Sequence, residues 1–443
     1  MKITLPQNVC KIISDLESRG FEAFAVGGCV RDSILGRTPE DWDITTSARP
    51  EDVKAIYRRT IDTGIEHGTV KVMMGDEGYE VTTYRIDGEY SDMRHPDRVE
   101  FTVSLEEDLS RRDFTINAMA YNESRGLVDL FGGMEDLRSG VIRCVGESGE
   151  RFNEDALRMF RAVRFAAQLD FSIDKDTAEA IRELSGNLKN ISAERIQTEL
   201  VKLITSSHPE RIRDCYEMGI TAAVLPEFDV MMKTPQNHMH HMYDVGEHTI
   251  KVMENVLPSK VMRLTALLHD VGKPATGTVD EEGYTHFKGH PNVGAEMAAG
   301  ILRRLKFDND SIHKVKTLIK WHDVRPDATE KNIRRLLSKV GEDLFPLLLD
   351  IKYGDILGQS DYMREEKLAI LSDYRRCFEK IISEKQCFTI KDLAVDGHDL
   401  MDAGIPAGVE IGEKLKSLLE IVLEDPARNK KDVLLSYIKE GLC

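Results

Sequence analysis

The hydrophobic positions along the chain follow two periods, and the change from one to the other divides the sequence. Residues 8–19 carry apolar side chains at helical spacing. The strand-like segments, separated by Gly, Asp and Pro, are FEAFAV (21–26), DITTS (43–47), GTVKVMMG (68–75), YEVTTYR (79–85) and VEFTV (99–103). From about residue 150, beginning with EDALRMFRAVRFAAQL (154–169), the pattern is almost wholly helical. The sequence therefore predicts an α+β fold, in which a small mixed sheet with helices precedes an all-helical remainder.

The helical remainder is uneven in composition. Nine of the 13 histidines lie between His238 and His322. The last ~80 residues are rich in Lys and Glu and are interrupted by AGIPAGVEIGEKL at 403–415. We therefore predict four domains, with the boundaries 1–140, 141–235, 236–360 and 361–443.

Composition places the chain among soluble globular proteins. Of its 443 residues, 41% are hydrophobic and 31% are charged, and no run approaches the ~20 apolar residues that cross a bilayer. The N-terminal segment becomes charged too early for a signal peptide. Seven cysteines without a CxxC pair fit reduced thiols better than disulfides or a Cys-ligated zinc. We expect a cytoplasmic protein that does not bind membranes.

The net charge of −17, with a pI near 5.3, bears on nucleic-acid binding. Phosphate contacts come from Lys and Arg, so an acidic chain is a less favourable binder. Net charge is an average, however, and a basic face can coexist with an acidic remainder. Composition therefore leaves RNA open as a partner.

Two glycines mark a candidate phosphate-binding turn near the N-terminus. In VGGCVRD (26–32), Gly27 and Gly28 follow a strand and precede a helix-like segment. Backbone N–H groups at such a turn can approach a triphosphate closely, and Arg31 could add a charge-assisted contact. For the dipeptide alone, a plain Gly-Gly turn is the commoner interpretation.

A pair of carboxylates follows in DWDI (41–44). In a strand, positions i and i+2 point to one face, so Asp41 and Asp43 are expected to project together. The two charges repel each other unless Mg²⁺ neutralises them, and two-metal phosphoryl transfer needs such a pair. An isolated DxD is usually solvated surface, but this one follows GGxxRD. We therefore predict that Asp41 and Asp43 are catalytic Mg²⁺ ligands.

These motifs resemble those of the DNA-polymerase-β-like nucleotidyltransferases, specifically the bacterial class II CCA-adding enzymes and poly(A) polymerases. The opening motif of that family, GGxVRDxxLGxxxxDxDI, is matched from Gly27 to Ile44. Further matches are RRDFTINAMAY (111–121), EDALRMFRAVRF (154–165) and AERIQTEL (193–200). The resemblance implies a polymerase-β-like head over 1–140, with Arg112 on the nucleotide phosphates. It also implies a helical neck over 141–235 for base recognition and RNA binding.

The segment EDALR contains Asp155 and Arg158, three residues apart in a strongly helical stretch, so both side chains can face the same way. An ionised Asp only accepts hydrogen bonds, and Arg only donates them. Cytosine and adenine match that order of groups, whereas uracil and guanine present the reverse. The resemblance gives the pair the role of a protein template and leaves Arg161 and Arg164 to the triphosphate or the tRNA end. A solvated i,i+3 ion pair is the plainer alternative.

The segment YRIDGEYSDMRHPDRVEF (84–101) is predicted to be a loop. It resembles the flexible loop of family members that add the terminal A, which relatives adding only CC lack. An ordinary charged surface loop is the alternative. Nearby, Glu80 could supply a third carboxylate, but a solvent-facing strand residue is the favoured interpretation.

A second group of candidate metal ligands lies in the histidine-rich region. Its members, on helix-like segments, are His248, His269, Asp270, His290, His322 and Asp355. Imidazoles with carboxylates suit Mn²⁺, Fe²⁺, Ni²⁺ or Co²⁺ better than a structural zinc. A lone His is more often a core residue, but an ordered series of six is not explained that way. The neighbouring His238, His240 and His241 fit no such series and are expected to be solvated and incidental.

The series resembles the H…HD…H…H…D pattern of the HD superfamily of metal-dependent phosphohydrolases. The resemblance implies a binuclear HD domain over 236–360. In members attached to CCA-adding enzymes it also implies phosphatase or 2′,3′-cyclic phosphodiesterase activity on damaged tRNA ends. The exact phosphoester is only weakly indicated.

The tail over 361–443 resembles the tRNA-contacting end of HD-containing family members, chiefly in 392–426. Gly404, Gly408 and Gly412 are predicted to open a helix whose N–H groups could hold an RNA phosphate. A plain packing element of helices is an equally good interpretation.

The resemblance as a whole implies a CCA tRNA nucleotidyltransferase that uses tRNA, CTP, ATP and Mg²⁺, with a second hydrolase site. Within the same family, a poly(A) polymerase or an A-adding enzyme is the alternative. From another class, an HD phosphohydrolase with a non-catalytic RNA-binding head would also fit. A degenerate head should lack Asp41, Asp43 or Arg158, and all three are present.

Overall fold

The computed structural model describes residues 2–87, 99–237, 239–240 and 242–441. The chain forms two compact units, Met1–Asp229 and Val230–Cys443. Across the described ranges, no helix is both long and apolar enough to cross a membrane.

The first unit contains a seven-stranded sheet. The strands of this unit are β1 Ala23–Val26, β2 Asp43–Thr46, β3 Thr60–Gly64, β4 Thr69–Met74, β5 Glu77–Thr83, β6 Arg85–Asp87, β7 Val99–Phe101, β8 Met119–Asn122, β9 Gly126–Asp129, β10 Val141–Ile142 and β11 Ser172–Ile173. The large sheet has the order β3-β4-β5-β2-β1-β8-β9. Strands β2 and β5 run parallel, and the other neighbours in it are antiparallel. The sheet is therefore mixed, as predicted.

Helices cover this sheet and then continue beyond it. Those that begin in the first unit are α1 Gln7–Glu17, α2 Gly28–Ile34, α3 Pro50–Ile56, α4 Leu105–Ser110, α5 Gly133–Ser139, α6 Ser148–Glu154, α7 Leu157–Leu169, α8 Lys175–Leu184, α9 Ala193–Ile204, α10 Ile212–Glu217, α11 Ile220–Val224 and α12 Pro226–Met232. Helix α1 confirms the helical spacing of its segment, because its buried residues are Val9, Ile12, Ile13 and Leu16.

The central strands of the sheet are buried on both faces. All four residues of β1 and all four of β8 are buried. A hydrophobic core cluster on this part of the sheet contains Phe24, Val26, Tyr84, Leu105, Leu109 and Ala120. Burial on both faces holds the strands firmly, so the residues where β1 ends and β2 begins have a fixed support.

The second unit is almost entirely helical. Its helices are α13 Val245–Glu254, α14 Lys260–Leu268, α15 Lys273–Thr276, α16 His290–Arg304, α17 Asn309–Trp321, α18 Glu330–Val340, α19 Phe345–Gly358, α20 Arg364–Ser383, α21 Gly397–Asp402, α22 Val409–Glu424 and α23 Lys431–Lys439. One hairpin, β12 Thr278–Val279 with β13 Thr285–His286, interrupts them. The predicted α+β class, with a mixed sheet followed by helices, is confirmed.

The predicted helix over 154–169 is corrected at its start. Helix α6 ends at Glu154, and Asp155 is extended, with φ −142° and ψ 102°. The Asp155 carboxylate accepts a hydrogen bond from the N–H of Leu157 at 3.1 Å, which satisfies a free N–H in the first turn of α7. An Asp at this position therefore separates two helices that the apolar spacing had joined.

The predicted loop over 84–101 has a paired stem. Strands β6 and β7 are antiparallel, with Arg85 opposite Phe101 and Asp87 opposite Val99. Residues 88–98 lie outside the described part of the chain, as do His238 and His241.

Candidate functional site

The Gly-Gly turn forms as predicted between β1 and α2. Gly27 has φ 81°, a left-handed value that glycine adopts without strain. A Cβ atom on Gly27 would lie 3.1 Å from Nη1 of Arg112. The turn therefore needs glycine for its conformation and for the close approach of this guanidinium.

Three carboxylates gather beside the turn. Asp43 begins β2 and is in register with Glu80 on the parallel strand β5. Asp41 is exposed and lies just before β2. We expected both aspartates to be strand residues, but only Asp43 belongs to the strand. Burial raises the pKa of Asp43, the Arg112 charge opposes this, and Glu80 and Asp41 raise it further. These acidic groups therefore lie close enough to repel one another, which is the situation that a bound divalent cation relieves.

Arg112 lines the same small cavity as two of these carboxylates, Asp43 and Glu80. The cavity measures about 240 Å³, and its lining includes Asp43, Glu80 and Arg112. Nη2 of Arg112 lies 3.4 Å from Asp108, whereas its Nε is buried and has no hydrogen-bond partner among the described residues. A buried donor without a partner costs free energy, and a ligand oxygen would relieve that cost.

Arg31 is used inside the head rather than turned to solvent. Its Nε and Nη2 each donate to the Asp32 carboxylate at 2.9 Å, and its Nη1 donates to the Asn117 side-chain oxygen at 2.6 Å. It also lines a second cavity, of about 510 Å³, together with Asp41 and Asp43. Arg31 therefore connects α2 to the turn at Asn117, and it also lines part of the cavity wall.

Asp155 and Arg158 each have other side-chain partners in the structure. Asp155 lies between two helices and accepts two hydrogen bonds from Arg195, at 2.6 and 3.1 Å. Arg158 donates through Nη1 to Glu154 at 2.6 Å and through Nη2 to the carbonyl of Arg111 at 3.0 Å. A helix boundary separates the pair, because Asp155 precedes α7 and Arg158 lies inside it. Their joint role in base recognition stays a prediction.

Arg161 and Arg164 leave α7 toward different acidic partners. Arg161 donates to Asp113 at 2.6 and 2.9 Å. Arg164 donates to Glu199 at 2.8 Å and stacks over the Phe165 ring, with its guanidinium carbon 3.5 Å from the ring centroid. Of these two arginines, Arg164 lines the 510 Å³ cavity that contains Asp41 and Asp43.

In the second unit, the six predicted metal ligands converge on one point. They come from α13, the ends of α14 and α17, the start of α16, and α19. His248 Nε2 lies 3.1 Å from Asp355 and 3.3 Å from His269 Nε2. His290 Nε2 lies 3.4 Å from His322 Nε2. The structure therefore brings the six residues together, and their role as metal ligands stays a prediction.

Asp270 is the centre of this group. One of its oxygens lies 3.1 Å from His269 Nε2, and the other lies 3.3 Å from His290 Nε2. Two sets of potential ligand atoms therefore share it: His248, His269 and Asp270 form one, and Asp270, His290 and His322 form the other. Both Asp270 oxygens are buried without a well-aligned hydrogen-bond donor. A carboxylate that bridges two cation positions fits these observations.

Backbone carbonyls orient all four imidazoles. The Nδ1 atoms of His269, His290 and His322 lie 2.7–2.8 Å from carbonyls three residues earlier. His248 Nδ1 lies 3.1 Å from the carbonyl of Gly358. A carbonyl on Nδ1 requires the proton there and leaves the Nε2 lone pair for a metal, as in known metal sites.

The charges of the site also suit cation binding. Burial opposes ionisation of Asp270, but the neighbouring His269 and Lys273 charges hold its pKa well below its usual range. Burial and the His269 charge lower the pKa of His322 to about 4, so this imidazole is neutral at pH 7. Anionic carboxylates beside the neutral His322 imidazole belong to the donor set that divalent transition metals prefer.

A cavity of about 470 Å³ opens onto these ligands. Basic groups border it, among them Lys273, Lys288 and Arg325. Lys273 Nζ lies 2.7 Å from Asp270. His240 also borders this cavity, and its ring packs 4.9 Å from that of Tyr362, so it is not the incidental surface residue that was expected. The basic rim matches a phosphoester anion at the metal positions.

The glycines of the tail differ in their positions. Gly404 and Gly408 have positive φ values of 98° and 146°, and Gly408 immediately precedes α22. Gly412 lies inside that helix, so only two of the three glycines precede it. Helix α22 buries Leu418, Leu419, Val422 and Leu423. These contacts agree with a packing element and leave phosphate binding untested.

Three segments of the chain match models of known protein families. The poly(A) polymerase head domain matches residues 23–143. The "Probable RNA and SrmB- binding site of polymerase A" matches 170–232, and tRNA nucleotidyltransferase domain 2 matches 278–438. With the grouped carboxylates and Arg112, these matches make the protein a nucleotidyltransferase of the poly(A) polymerase type.

Relatives along the whole chain narrow the class to one family. The CCA-adding enzyme of Lactobacillus helveticus is 35% identical, over 97% of this chain and 96% of the relative. That of Enterococcus faecalis is 34% identical over 99% and 98%. The chain belongs to the family of CCA-adding enzymes.

Solved structures agree with this assignment. The Bacillus stearothermophilus CCA-adding enzyme in complex with CTP is 30% identical, with a TM-score of 0.72 over 99% of this chain and 98% of that one. The Thermotoga maritima CCA-adding enzyme complexed with tRNA_CCA has a TM-score of 0.59 over the full length of both chains, at 20% identity. The second likeness is evidence for the fold alone.

The sequence pattern missed two contributors to these sites. Glu80 is exposed, as the favoured interpretation expected, but the pattern did not indicate that its register with Asp43 brings it to the cavity. Arg195 was noticed only as part of AERIQTEL, and nothing in its spacing indicates Asp155 as its partner.

Proposed function

We propose that the head adds C, C and A to the 3′ end of tRNA from CTP and ATP, with release of pyrophosphate. The observation that carries the proposal is the group formed by Asp41, Asp43 and Glu80 beside Arg112 and the Gly27 turn. Relatives that span this chain bear the same activity in their names, and the similar Bacillus stearothermophilus enzyme was solved in complex with CTP.

The acidic residues of the site would bind the metal, and the basic residue and the glycine turn would bind the phosphates. Asp41 and Asp43, with Glu80 beside them, would hold Mg²⁺, which activates the attacking hydroxyl and stabilises the leaving pyrophosphate. Arg112 would bind the triphosphate through the donors that face the cavity, because its Nε has no partner among the described residues. Gly27 and Gly28 would let the backbone approach the same phosphates.

We propose that Asp155 and Arg158 select the base, with Arg195 as an orienting partner. A carboxylate has about four acceptor positions, so two bonds from Arg195 and one from the N–H of Leu157 still leave a position for the amino group of C or A. Arg158 would donate to the acceptor beside that amino group once its Glu154 contact adjusts. Arg161 and Arg164 would bind the triphosphate or the tRNA end. Of the two, Arg164 has the stronger support, because it lines the 510 Å³ cavity together with Asp41 and Asp43.

The test is incorporation on tRNA that lacks its CCA end, with each nucleotide alone and then with CTP and ATP together. Stepwise addition of two C residues and one A supports the proposal. Addition of A alone to tRNA ending in CC would make it an A-adding enzyme, and long A tracts would make it a poly(A) polymerase. No incorporation at all would favour a non-catalytic RNA-binding head.

We further propose that the second unit is a metal-dependent phosphohydrolase acting on 2′,3′-cyclic phosphates or phosphomonoesters at tRNA ends. The observation that carries this proposal is the convergence of four imidazoles and two carboxylates around Asp270. Bound Mn²⁺, Fe²⁺, Ni²⁺ or Co²⁺ would supply a hydroxide nucleophile at neutral pH. Lys273 and Arg325 would hold the phosphoester anion at the cavity rim. The test is metal content together with hydrolysis of a nucleoside 2′,3′-cyclic phosphate.

The RNA contacts complete the proposal. Residues 141–235 and the tail over 361–443 would bind tRNA, and the loop over 84–101 would act in the addition of the terminal A. The match of 170–232 to an RNA-binding model supports the first of these assignments. A cytoplasmic location, with cysteines kept reduced, belongs to the same proposal.

A further inference from the structure

A second cavity adjoins the metal centre, and the proposed hydrolysis does not account for it. Its volume is about 250 Å³. His322, Arg325 and Asp355 line both this cavity and the larger metal cavity, so the two meet at the metal ligands themselves. A water molecule takes up about 30 Å³ in the liquid, so the second cavity has room for an organic group.

One side of this cavity is apolar and aromatic, although charged residues that include Arg325, Lys352 and Lys367 also line it. Ile356, Ile370, Leu371 and Tyr374 line it. The Tyr374 hydroxyl donates to the carbonyl of Pro326, which holds the ring in the wall. Ile370 is 47% exposed although it is apolar. An exposed isoleucine beside a fixed aromatic ring is a surface suited to a flat, partly apolar ligand.

A buried lysine connects this wall to the metal site. Lys352 lines the cavity and is buried. Its ammonium donates to the carbonyls of His322 and Val324, at 2.5 and 2.7 Å. The backbone that carries His322 is therefore fixed from the side of the second cavity, which makes the position of this cavity relative to the metal ligands well defined.

We infer that the second cavity is a base slot, which binds the nucleobase of the ester whose phosphate lies at the metal centre. A phosphate anion fits the basic rim and the cations, and a planar heteroaromatic ring fits the adjoining apolar wall. Nucleoside phosphoesters, including the last nucleotide of an RNA chain, combine both groups. Sugar phosphates and inorganic phosphate would leave the slot empty. The inference rests on the hydrolase function proposed above.

The test compares one substrate with its base-free analogue on the metal-loaded full chain. Adenosine 2′,3′-cyclic phosphate and 1-deoxyribose 2,3-cyclic phosphate differ only in the base. We expect the nucleoside ester to have a kcat/KM about ten- to a hundredfold higher, the range for one base stacked in a protein site. Ala328 lines the slot, so Ala328→Phe should fill it and remove this preference by raising the KM for the nucleoside ester. Ala369→Phe, an exposed position on α20 outside the slot, is the matched control.

Binding gives a second readout that does not depend on turnover. Calorimetry with adenosine 3′-phosphate should give tighter binding than 1-deoxyribose 3-phosphate by a similar factor, and Ala328→Phe should abolish the difference. Equal binding of the two ligands, or an unchanged ratio in Ala328→Phe, would overturn the base slot. If neither cyclic ester is hydrolysed, the hydrolase proposal fails, whereas the binding ratio still decides whether the slot exists.

Discussion

The carboxylate of Asp155 accepts two hydrogen bonds from the guanidinium of Arg195, one from each terminal nitrogen, at 2.6 and 3.1 Å. Two such bonds fix the plane of the carboxylate as well as its position. Asp155 lies in extended backbone between α6 and α7, and the N–H of Leu157 donates a third hydrogen bond to its carboxylate at 3.1 Å. Helix α9, which carries Arg195, and the start of α7 therefore determine together where the acceptor groups of Asp155 point.

This relationship predicts that Arg195 contributes to the choice of nucleotide. Asp155→Ala should raise incorporation of UTP or GTP relative to CTP and ATP by about ten- to a thousandfold, because unmatched polar groups no longer oppose the wrong base. Arg195→Ala should also raise incorporation of UTP or GTP relative to CTP and ATP, but by a smaller factor. The measurement is kcat/KM for each nucleotide on truncated tRNA. Glu194→Gln, exposed on the same helix, is the control. An equal loss for all four nucleotides would make both residues structural.

The carboxylates of the head should be required for nucleotide addition and for nothing in the second unit. Asp41→Ala and Asp43→Ala should abolish incorporation. Glu80→Gln should lower it by about ten- to a hundredfold, as expected for a group that supports metal ligands. Phosphoester hydrolysis should stay unchanged in all three variants. Glu77→Gln, on the same strand but at an exposed position outside the cavity, should keep full activity. Near-normal incorporation by Asp43→Ala would remove it from the catalytic group.

Variants of the histidine site should lose phosphoester hydrolysis and keep nucleotide addition, the reverse of the head variants. His269→Ala should remove most of the bound transition metal and the phosphoesterase activity, because this imidazole is one of the ligands around Asp270. Nucleotide addition should continue at the normal rate. Elemental analysis and the two assays check this, with exposed His313→Ala as the matched control. Full metal content in a His269→Ala, Asp270→Ala double variant would show that the metal binds elsewhere.

The loop between β6 and β7 should matter for only one of the nucleotides. Deletion of residues 89–96 with a short Gly linker should spare both C additions and block the final A. Products on truncated tRNA, resolved to single nucleotides, give the answer. A variant with the same residues replaced by Gly and Ser at full length separates loss of length from loss of side chains. Completion of CCA at the normal rate by the deletion variant would make this an ordinary surface loop.

The buried thiols should resist alkylation at ordinary pH. Burial raises the pKa of Cys29 to about 11 and that of Cys144 to about 12, and only the thiolate reacts rapidly. At pH 8 iodoacetamide should therefore modify the less buried Cys10 and Cys377 first. Labelling of Cys29 should increase as the pH approaches 11. Peptide mass spectrometry over a pH series measures these rates, and equal labelling of all four at pH 8 would contradict the burial.

Features that depend on neighbours in the chain were predictable from the sequence. The apolar spacing of 8–19 predicts α1, and the Gly27–Gly28 turn occurs where a strand meets a helix. The six candidate metal ligands could be named because each belongs to a short motif. The interruption at Asp155 was not predicted, because apolar spacing continues across it and the break depends on a single side-chain cap.

The sequence by itself determined the class of fold, the glycine turn, the order of the candidate ligands and the family. Tertiary structure alone decided which charged groups meet. Glu80 reaches Asp43 through strand register, Arg195 reaches Asp155 from another helix, and Asp270 lies between two sets of imidazoles. The physical reason is the distance along the chain over which each kind of interaction acts. Helix and strand periods act over a few residues, whereas an ion pair or a metal site depends on how distant segments pack, and many charged partners are compatible with the same local pattern.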